Sequence, residues 1–189
     1  MANSNIYFKS VLEKSIYIDL NNVNLNLEKN ILTILKDTFE GKCTNDGFIK
    51  IDTIKIITYS SGLILSGSIK FNVVFDCLIC YPTEGMIIEC VIKNITKAGL
   101  RCELNEDNSP LIIYVARDHH YKNEEFNNVL ENEIISVKIL GQRFELNDSY
   151  ICVISEFLKK IDNKPIKQSK DKSKDKSKSK KEKLKILEN

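Results

Sequence analysis

The chain has 189 residues, 42% of them hydrophobic, which suffices for one ordinary domain or two small ones with their own cores. No run approaches the roughly 20 apolar residues that cross a bilayer, and the polar start Met-Ala-Asn-Ser-Asn lacks a signal-peptide core, so a soluble intracellular protein with reduced cysteines is expected. The formal net charge of +2 conceals a division: from Lys164 onward eleven lysines face four carboxylates, a net of +7, so the rest of the chain carries −5.

Ser15-Ile-Tyr-Ile-Asp-Leu20 alternates, with Ile16, Ile18 and Leu20 on one face, and reads as a strand. Asn21-Asn22-Val23-Asn24 follows as a loop. Leu27, Ile31, Ile34, Leu35 and Phe39 recur at helical spacing and predict a helix over 25–40. Gly47 to Thr58 reads as a second strand whose apolar phase slips from Ile49 and Ile51 to Ile54 and Ile56, which places a bulge or bend near Asp52 and Thr53. Tyr59-Ser60-Ser61-Gly62 makes a turn.

From Gly67 a long strand carries Ile69, Phe71, Val73, Phe75, Cys77 and Ile79 on one face and Lys70, Asn72 and Asp76 on the other. At about 3.3 Å per residue it spans roughly 40 Å, enough to carry the chain from one domain into the next. Past Pro82 only short strands follow, near 86–95, 99–104, 111–116, 134–140 and 150–157, punctuated by glycines, with an acidic hairpin loop at Glu103–Ser109 and a longer insertion at Asp118–Asn132. Five such strands suit an OB-type barrel. The predicted class is α+β: a strand-helix-strand-strand domain over 1–81, an OB-fold domain over 82–162, and a lysine-rich tail over 163–189 too poor in apolar residues to order.

Chemistry-bearing constellations are few. There is no phosphate-cradling glycine loop, no GxSxG and no HExxH, so no catalytic residue, metal or cofactor is assigned. Cys77-x-x-Cys80 resembles half a zinc site without a second half, and alternation sends the two thiols to opposite faces, so structural thiols are expected. A redox dithiol is the remote alternative. His119 and His120, adjacent in a predicted loop, read as a solvated pair, and Glu103, Glu106 and Asp107 as a solvated acidic run. Lys93, Arg101, Tyr114, Lys138 and Arg143 are the barrel residues suited to a single-stranded nucleic acid, although Leu100 and Cys102 occupy a strand where OB readers often carry aromatics.

The order of motifs resembles the stalk subunit of multisubunit RNA polymerases, subunit seven of eukaryotic polymerase II and its archaeal E-type counterpart. The likeness covers roughly residues 5–158. It runs through Phe39-Glu40-Gly41-Lys42-Cys43, Asp46-Gly47-Phe48-Ile49, Gly62, Gly67-x-x-x-Phe71-x-Val73, Pro82-x-x-Gly85, Val91 and Ile95 leading to Gly99, and Val137-Lys138-Ile139-x-Gly141. The resemblance implies a non-catalytic subunit of a DNA-directed RNA polymerase acting in transcription. Its first domain would dock on the largest subunits near the clamp through the loops at Asn21 and at Tyr59, Ser60, Ser61 and Gly62, and would hold a smaller stalk partner. Its OB domain would project towards nascent RNA through the five barrel residues Lys93 to Arg143. It implies no membrane and a nuclear location, or a cytoplasmic or virion one for a large DNA virus, which the heavy use of Asn, Ile and Lys would suit. The alternative is a free-standing OB-fold protein that binds single-stranded RNA.

Overall fold

The long strand forms as β6 (Ser68–Cys80), in a computed structural model that describes residues 6–20, 26–106 and 108–161. Phe71, Val73, Phe75, Cys77 and Ile79 are all buried on one side of it. β1 (Tyr7–Asp19) runs antiparallel to β6 along its whole length, from Tyr7 opposite Cys80 to Asp19 opposite Ser68. β1 thus starts well before the strand expected at Ser15. The apolar residues of its first half fall in adjacent pairs, Tyr7-Phe8 and Val11-Leu12, so the sequence there does not alternate; Phe8 and Val11 are exposed, Lys9 pairs with Asp76 at 2.7 Å, and the ladder to β6 extends the strand.

The other edge of β6 is shared in succession by β3 (Gly47–Ile49), β4 (Lys55–Tyr59) and β5 (Leu63–Leu65), and β2 (Cys43–Thr44) pairs with β3. The single strand expected over 47–58 is therefore two. Asp52 adopts a left-handed φ of 58°, and the Glu40 carboxylate accepts the Thr53 and Ile54 N–H groups at 3.1 and 3.0 Å. The phase slip marks a turn anchored by a carboxylate outside the segment, which local alternation cannot reveal. α1 (Leu27–Phe39) lays the fully buried Ile31 and Leu35 on the β6 face, and Phe39 stacks on Phe75 with centroids 6.4 Å apart. The expected loop at Asn21–Asn24 and the basic tail lie outside the described residues.

β7 (Ile87–Ile95), β8 (Gly99–Glu103), β9 (Leu111–Ala116), β10 (Ile134–Arg143) and β11 (Ile151–Ile161) close a barrel in the order β10-β11-β9-β8-β7. β9 and β11 pair in parallel and every other neighbour pair is antiparallel, an OB-like arrangement, as the strand spacing predicts. Between β9 and β10 the chain makes a one-turn 3-10 helix at Arg117–His119 and then α2 (Glu124–Asn127), whose start is capped by Asn123 accepting the Phe126 N–H at 3.2 Å. Phe126 is buried among the barrel residues.

Two apolar clusters result. One joins α1 to the sheet; the other fills the barrel and takes in Ile6, Cys43, Phe48 and Cys80 from the sheet unit. Cys77 and Cys80 consequently belong to different cores. Main-chain bonds reinforce the junction: Cys43 N–H donates to Asp148 O at 2.7 Å and Asn147 N–H to Cys43 O at 2.9 Å. Beside them, Glu106 accepts the Tyr7 hydroxyl at 2.9 Å and the Lys50 ammonium at 3.4 Å, with Lys50 3.9 Å from the Tyr7 ring centroid. Among the described residues no helix is long and apolar enough to cross a membrane.

Barrel closure offers a direct test. Gly99 opens β8 with φ of 151°, and a Cβ there would lie 2.1 Å from Val115 O, whereas a Cβ at Gly141 meets nothing within 4 Å. Gly99→Ala should destabilise the protein by about 2–4 kcal/mol, and Gly141→Ala should stay within about 0.5 kcal/mol of the parent, measured from denaturant midpoints.

Candidate docking and nucleic-acid surfaces

The loop expected to face a polymerase core is tied to β6. Tyr59 ends β4 and packs edge-on against Phe71 at 6.4 Å, half exposed. Ser60 clips the loop to β6, its N–H donating to Asn72 O at 2.9 Å and its Oγ accepting the Asn72 N–H at 3.0 Å. Ser61 is exposed. Gly62 has no room for a side chain, since a Cβ would lie 2.5 Å from Ile69 Cγ2. Asn21, the other docking candidate, lies outside the described residues.

The strand directly after that loop is a surface that sequence reading missed. Leu63, Ile64 and Leu65 are 60, 71 and 40% exposed in β5, and Tyr17 stands across β6 from Leu63, both being paired with Lys70. Three consecutive exposed aliphatic residues with Tyr17 and Leu20 nearby make an uncovered apolar end to the sheet. The signal was available: an unbroken Leu-Ile-Leu run directly after a glycine turn has no alternation to bury it.

On the barrel, register brings several candidates into rows on the outer surface. Arg101 pairs with Tyr114, and Tyr114 with Ile154; Lys138 and Arg143 stand farther round on β10. Lys93 is the extra residue of the β7 bulge between Ile92 and Asn94. Leu100 and Cys102 lie on β8, as read from the sequence, and point inward almost wholly buried, so the outer face of that strand is set by their neighbours. Several of the cations are matched by acids: Arg101 binds Glu103 at 2.8 Å, Arg143 binds Glu145 at 3.2 Å, and Lys138 stands opposite Glu156. Lys93, and Lys97 in the β7–β8 turn, are exposed and make no ion pair among the described residues. Arg117 braces that turn, its guanidinium donating to Thr96 O at 3.3 Å and lying over the Phe126 ring. Lys97 and Arg117 were missed because a turn and an insertion carry no strand pattern.

The acidic run is largely engaged, with Glu103 on Arg101 and Glu106 on Tyr7 and Lys50, and Asp107 falls outside the described residues. Burial and the neighbouring Glu106 push the Tyr7 phenol well above its ordinary range. The histidines separate. His119 is exposed, but His120 is buried, contrary to a solvated pair. Its Nδ1 donates to Ala116 O at 2.8 Å, its Nε2 accepts the Phe157 N–H at 2.9 Å, and its ring stacks on Phe126 at 4.9 Å. Both nitrogens are occupied by the main chain, so the residue fastens the insertion to β11. Burial pushes the Cys77 thiol up to about 11 and those of Cys43 and Cys80 to about 12, while Cys90, hydrogen-bonded to Cys102 and buried, is also raised.

No family model matches the chain. Among curated proteins it is 27% identical over 184 aligned positions to a protein of Acanthamoeba polyphaga mimivirus provisionally assigned as a DNA-directed RNA polymerase subunit, covering 88% of this chain and 89% of that protein. It is 27% identical over 114 positions to subunit 7 of RNA polymerase II from Arabidopsis thaliana, 59% of this chain and 62% of that protein. It is 23% identical over 164 positions to subunit RPB7 of RNA polymerase II from Glycine max, 78% of this chain and 90% of that protein. The chain thus has homologues among the seventh subunits of RNA polymerase II, at modest identity over much of its length.

The thiols give this geometry a simple check. In native buffer at mildly alkaline pH a chromogenic disulfide reagent should titrate at most the half-buried Cys152, and all six cysteines only after guanidinium is added. Rapid native reaction of Cys77 or Cys80 would contradict their burial.

Proposed function

We propose that this homologue of the seventh subunit of RNA polymerase II is a non-catalytic stalk subunit of a DNA-directed RNA polymerase. The observation that carries the reading is likeness that runs through both the sheet unit and the barrel, 184 aligned positions in the mimivirus relative. The relatives favour it over a free-standing RNA-binding protein, because each of the three is described as a polymerase subunit.

In this reading residues 1–81 form a docking domain and residues 82–162 an OB domain, with the basic tail appended. The docking domain meets the large polymerase subunits near the clamp through Tyr59–Gly62 and, in our extension, through Leu63–Leu65 and Tyr17, whose apolar exposure makes sense when another surface covers them. A smaller stalk subunit is the second protein partner. The protein works where such a polymerase works, in the nucleus or, for a large DNA virus, in the cytoplasm or virion.

RNA contact follows from the barrel's two ends. OB barrels bind single strands across the second and third strands and the loops flanking them, here β8, β9 and the turns at 96–98 and 144–150. The 144–150 loop is engaged by the sheet unit through Asn147, Asp148 and the Phe144–Tyr81 ring pair at 6.1 Å. The path for RNA therefore runs over Arg101 and Tyr114 towards Lys93, Lys97 and Arg117. Matched cations make this a weak, salt-sensitive contact.

A tagged chain should co-purify with the two largest polymerase subunits under gentle salt, and Ile64→Asp with Leu65→Asp should lower their recovery about tenfold or more without changing the melting midpoint. Absence of polymerase subunits from the parent purification overturns the reading. Lys93→Glu with Lys97→Glu should weaken binding of a single-stranded RNA oligonucleotide severalfold at low salt and flatten its salt dependence. Unchanged RNA affinity removes the RNA arm and leaves the assembly arm standing.

A further inference from the structure

β11 leaves the barrel at the end that holds the unmatched lysines. β7 and β11 both run antiparallel to β10, so they share a direction, and β9 runs parallel to β11. All three strands therefore finish at one end: β7 in the 96–98 turn with Lys97, β9 at Arg117, and β11 at Ile161. Ile161 stands opposite Ile134, and Ile134 opposite Val91, so two strand spacings of about 4.8 Å separate it from the stretch of β7 that holds Lys93. The sheet unit is tied to the barrel at the opposite end, through the β10–β11 connection.

We propose that the lysines of residues 164–189 take phosphates of the same single-stranded RNA that crosses Lys93, Lys97 and Arg117, so that the barrel end and the segment leaving it act as one contact. This rests on the RNA arm of the polymerase reading and deepens it. Residues 164–189 hold eleven lysines against four carboxylates, and every second residue from Lys170 to Lys180 is a lysine. From Lys167 to Lys183 there is no apolar or aromatic side chain, so this stretch offers charge without an anchor for a protein groove or a ring for a base. A phosphate backbone needs neither, and binds such a stretch by release of counterions without regard to sequence.

The chain's own insertion between β9 and β10 competes for the same lysines, with Asp118, Glu124, Glu125, Glu131 and Glu133. Two of these five are engaged already: Glu133 by the Lys160 ammonium at 2.6 Å and the Leu130 N–H at 2.9 Å, and Glu125 by the Lys160 N–H at 2.8 Å. The other three offset less than half of the net +7, and the surplus is left for an external polyanion. The insertion's carboxylates also divide the work. They nearly balance the six cations of that end, Lys93, Lys97, Arg117, Lys122, Lys159 and Lys160, so the barrel end positions a strand and the lysine-rich segment adds the charge that holds it.

The test uses the full chain and a short single-stranded RNA of mixed sequence. Lys170→Gln, Lys172→Gln, Lys174→Gln, Lys176→Gln, Lys178→Gln and Lys180→Gln together should lower its affinity about tenfold or more at about 0.1 M salt and leave the melting midpoint unchanged. The slope of log affinity on log salt should flatten by about 2 or more, because each phosphate met by a cation contributes roughly 0.7 for a single strand. Lys29→Gln with Lys55→Gln, exposed on the sheet unit, should change neither. In assembled polymerase a photocrosslinking residue in place of Lys172 should join the transcript, as should one in place of Lys97. Parent-like affinity and slope in the six-lysine variant overturn the inference, as does a crosslink from position 172 confined to residues 118–133 of the same chain, to DNA or to a polymerase subunit. If Lys93→Glu with Lys97→Glu weakens RNA binding while the six-lysine variant keeps it, the basic tail fails and the barrel reading stands. If the parent chain binds no RNA, both fail together and the assembly arm is untouched.

Discussion

Four strands of the first unit hydrogen-bond to one strand. β1 covers one edge of β6 end to end, and β3, β4 and β5 divide the other edge among them, so every ladder in that sheet apart from the β2–β3 pair uses a main-chain group of residues 68–80. Loss of β6 register would move the apolar set from the helix face to solvent and break four pairings at once. The same strand ends in Cys80, which is packed in the barrel's cluster. Alternation within one strand thus both builds the sheet's core and delivers the chain to the next.

That delivery makes the two units mechanically coupled. Ile6, Cys43, Phe48 and Cys80 plug one side of the barrel, the Cys43 main chain bonds to the β10–β11 connection, and the Tyr7–Glu106–Lys50 group lies alongside. A force applied to the sheet unit is passed through packed side chains and main-chain bonds to the barrel, without a flexible linker in between. The arrangement also ties up one of the two loops an OB barrel offers to ligands, which leaves its charge-unmatched lysines at the other end.

Much of this was legible because the decisive signals were local and periodic. The alternation of Ile69 to Ile79, the helical spacing of Leu27 to Phe39 and the glycine-bounded barrel strands each fix a side-chain face without knowledge of a partner. What escaped depended on contacts distant in sequence. The break at Asp52 is anchored by Glu40, the length of β1 by β6, and the burial of His120 by the Phe157 main chain and the Phe126 ring. The candidate sites divided differently: Tyr59, Ser60, Ser61 and Gly62 read as a turn from their residue types and became docking candidates only through the family resemblance, whereas Leu63–Leu65 became visible as a surface only when their exposure was known.

The parallel pairing of β9 with β11 carries a consequence for synthesis. During translation the sheet unit has all its strands once Cys80 has emerged, but the barrel lacks its closing strand until residues 151–161 are out. For that interval Ile6, Cys43 and Phe48 have no cover, and β9 presents an open edge on a nascent chain. The chain therefore passes through a half-finished state on the ribosome, sticky at one rim, which makes it a natural client for chaperones that hold exposed aliphatic surface.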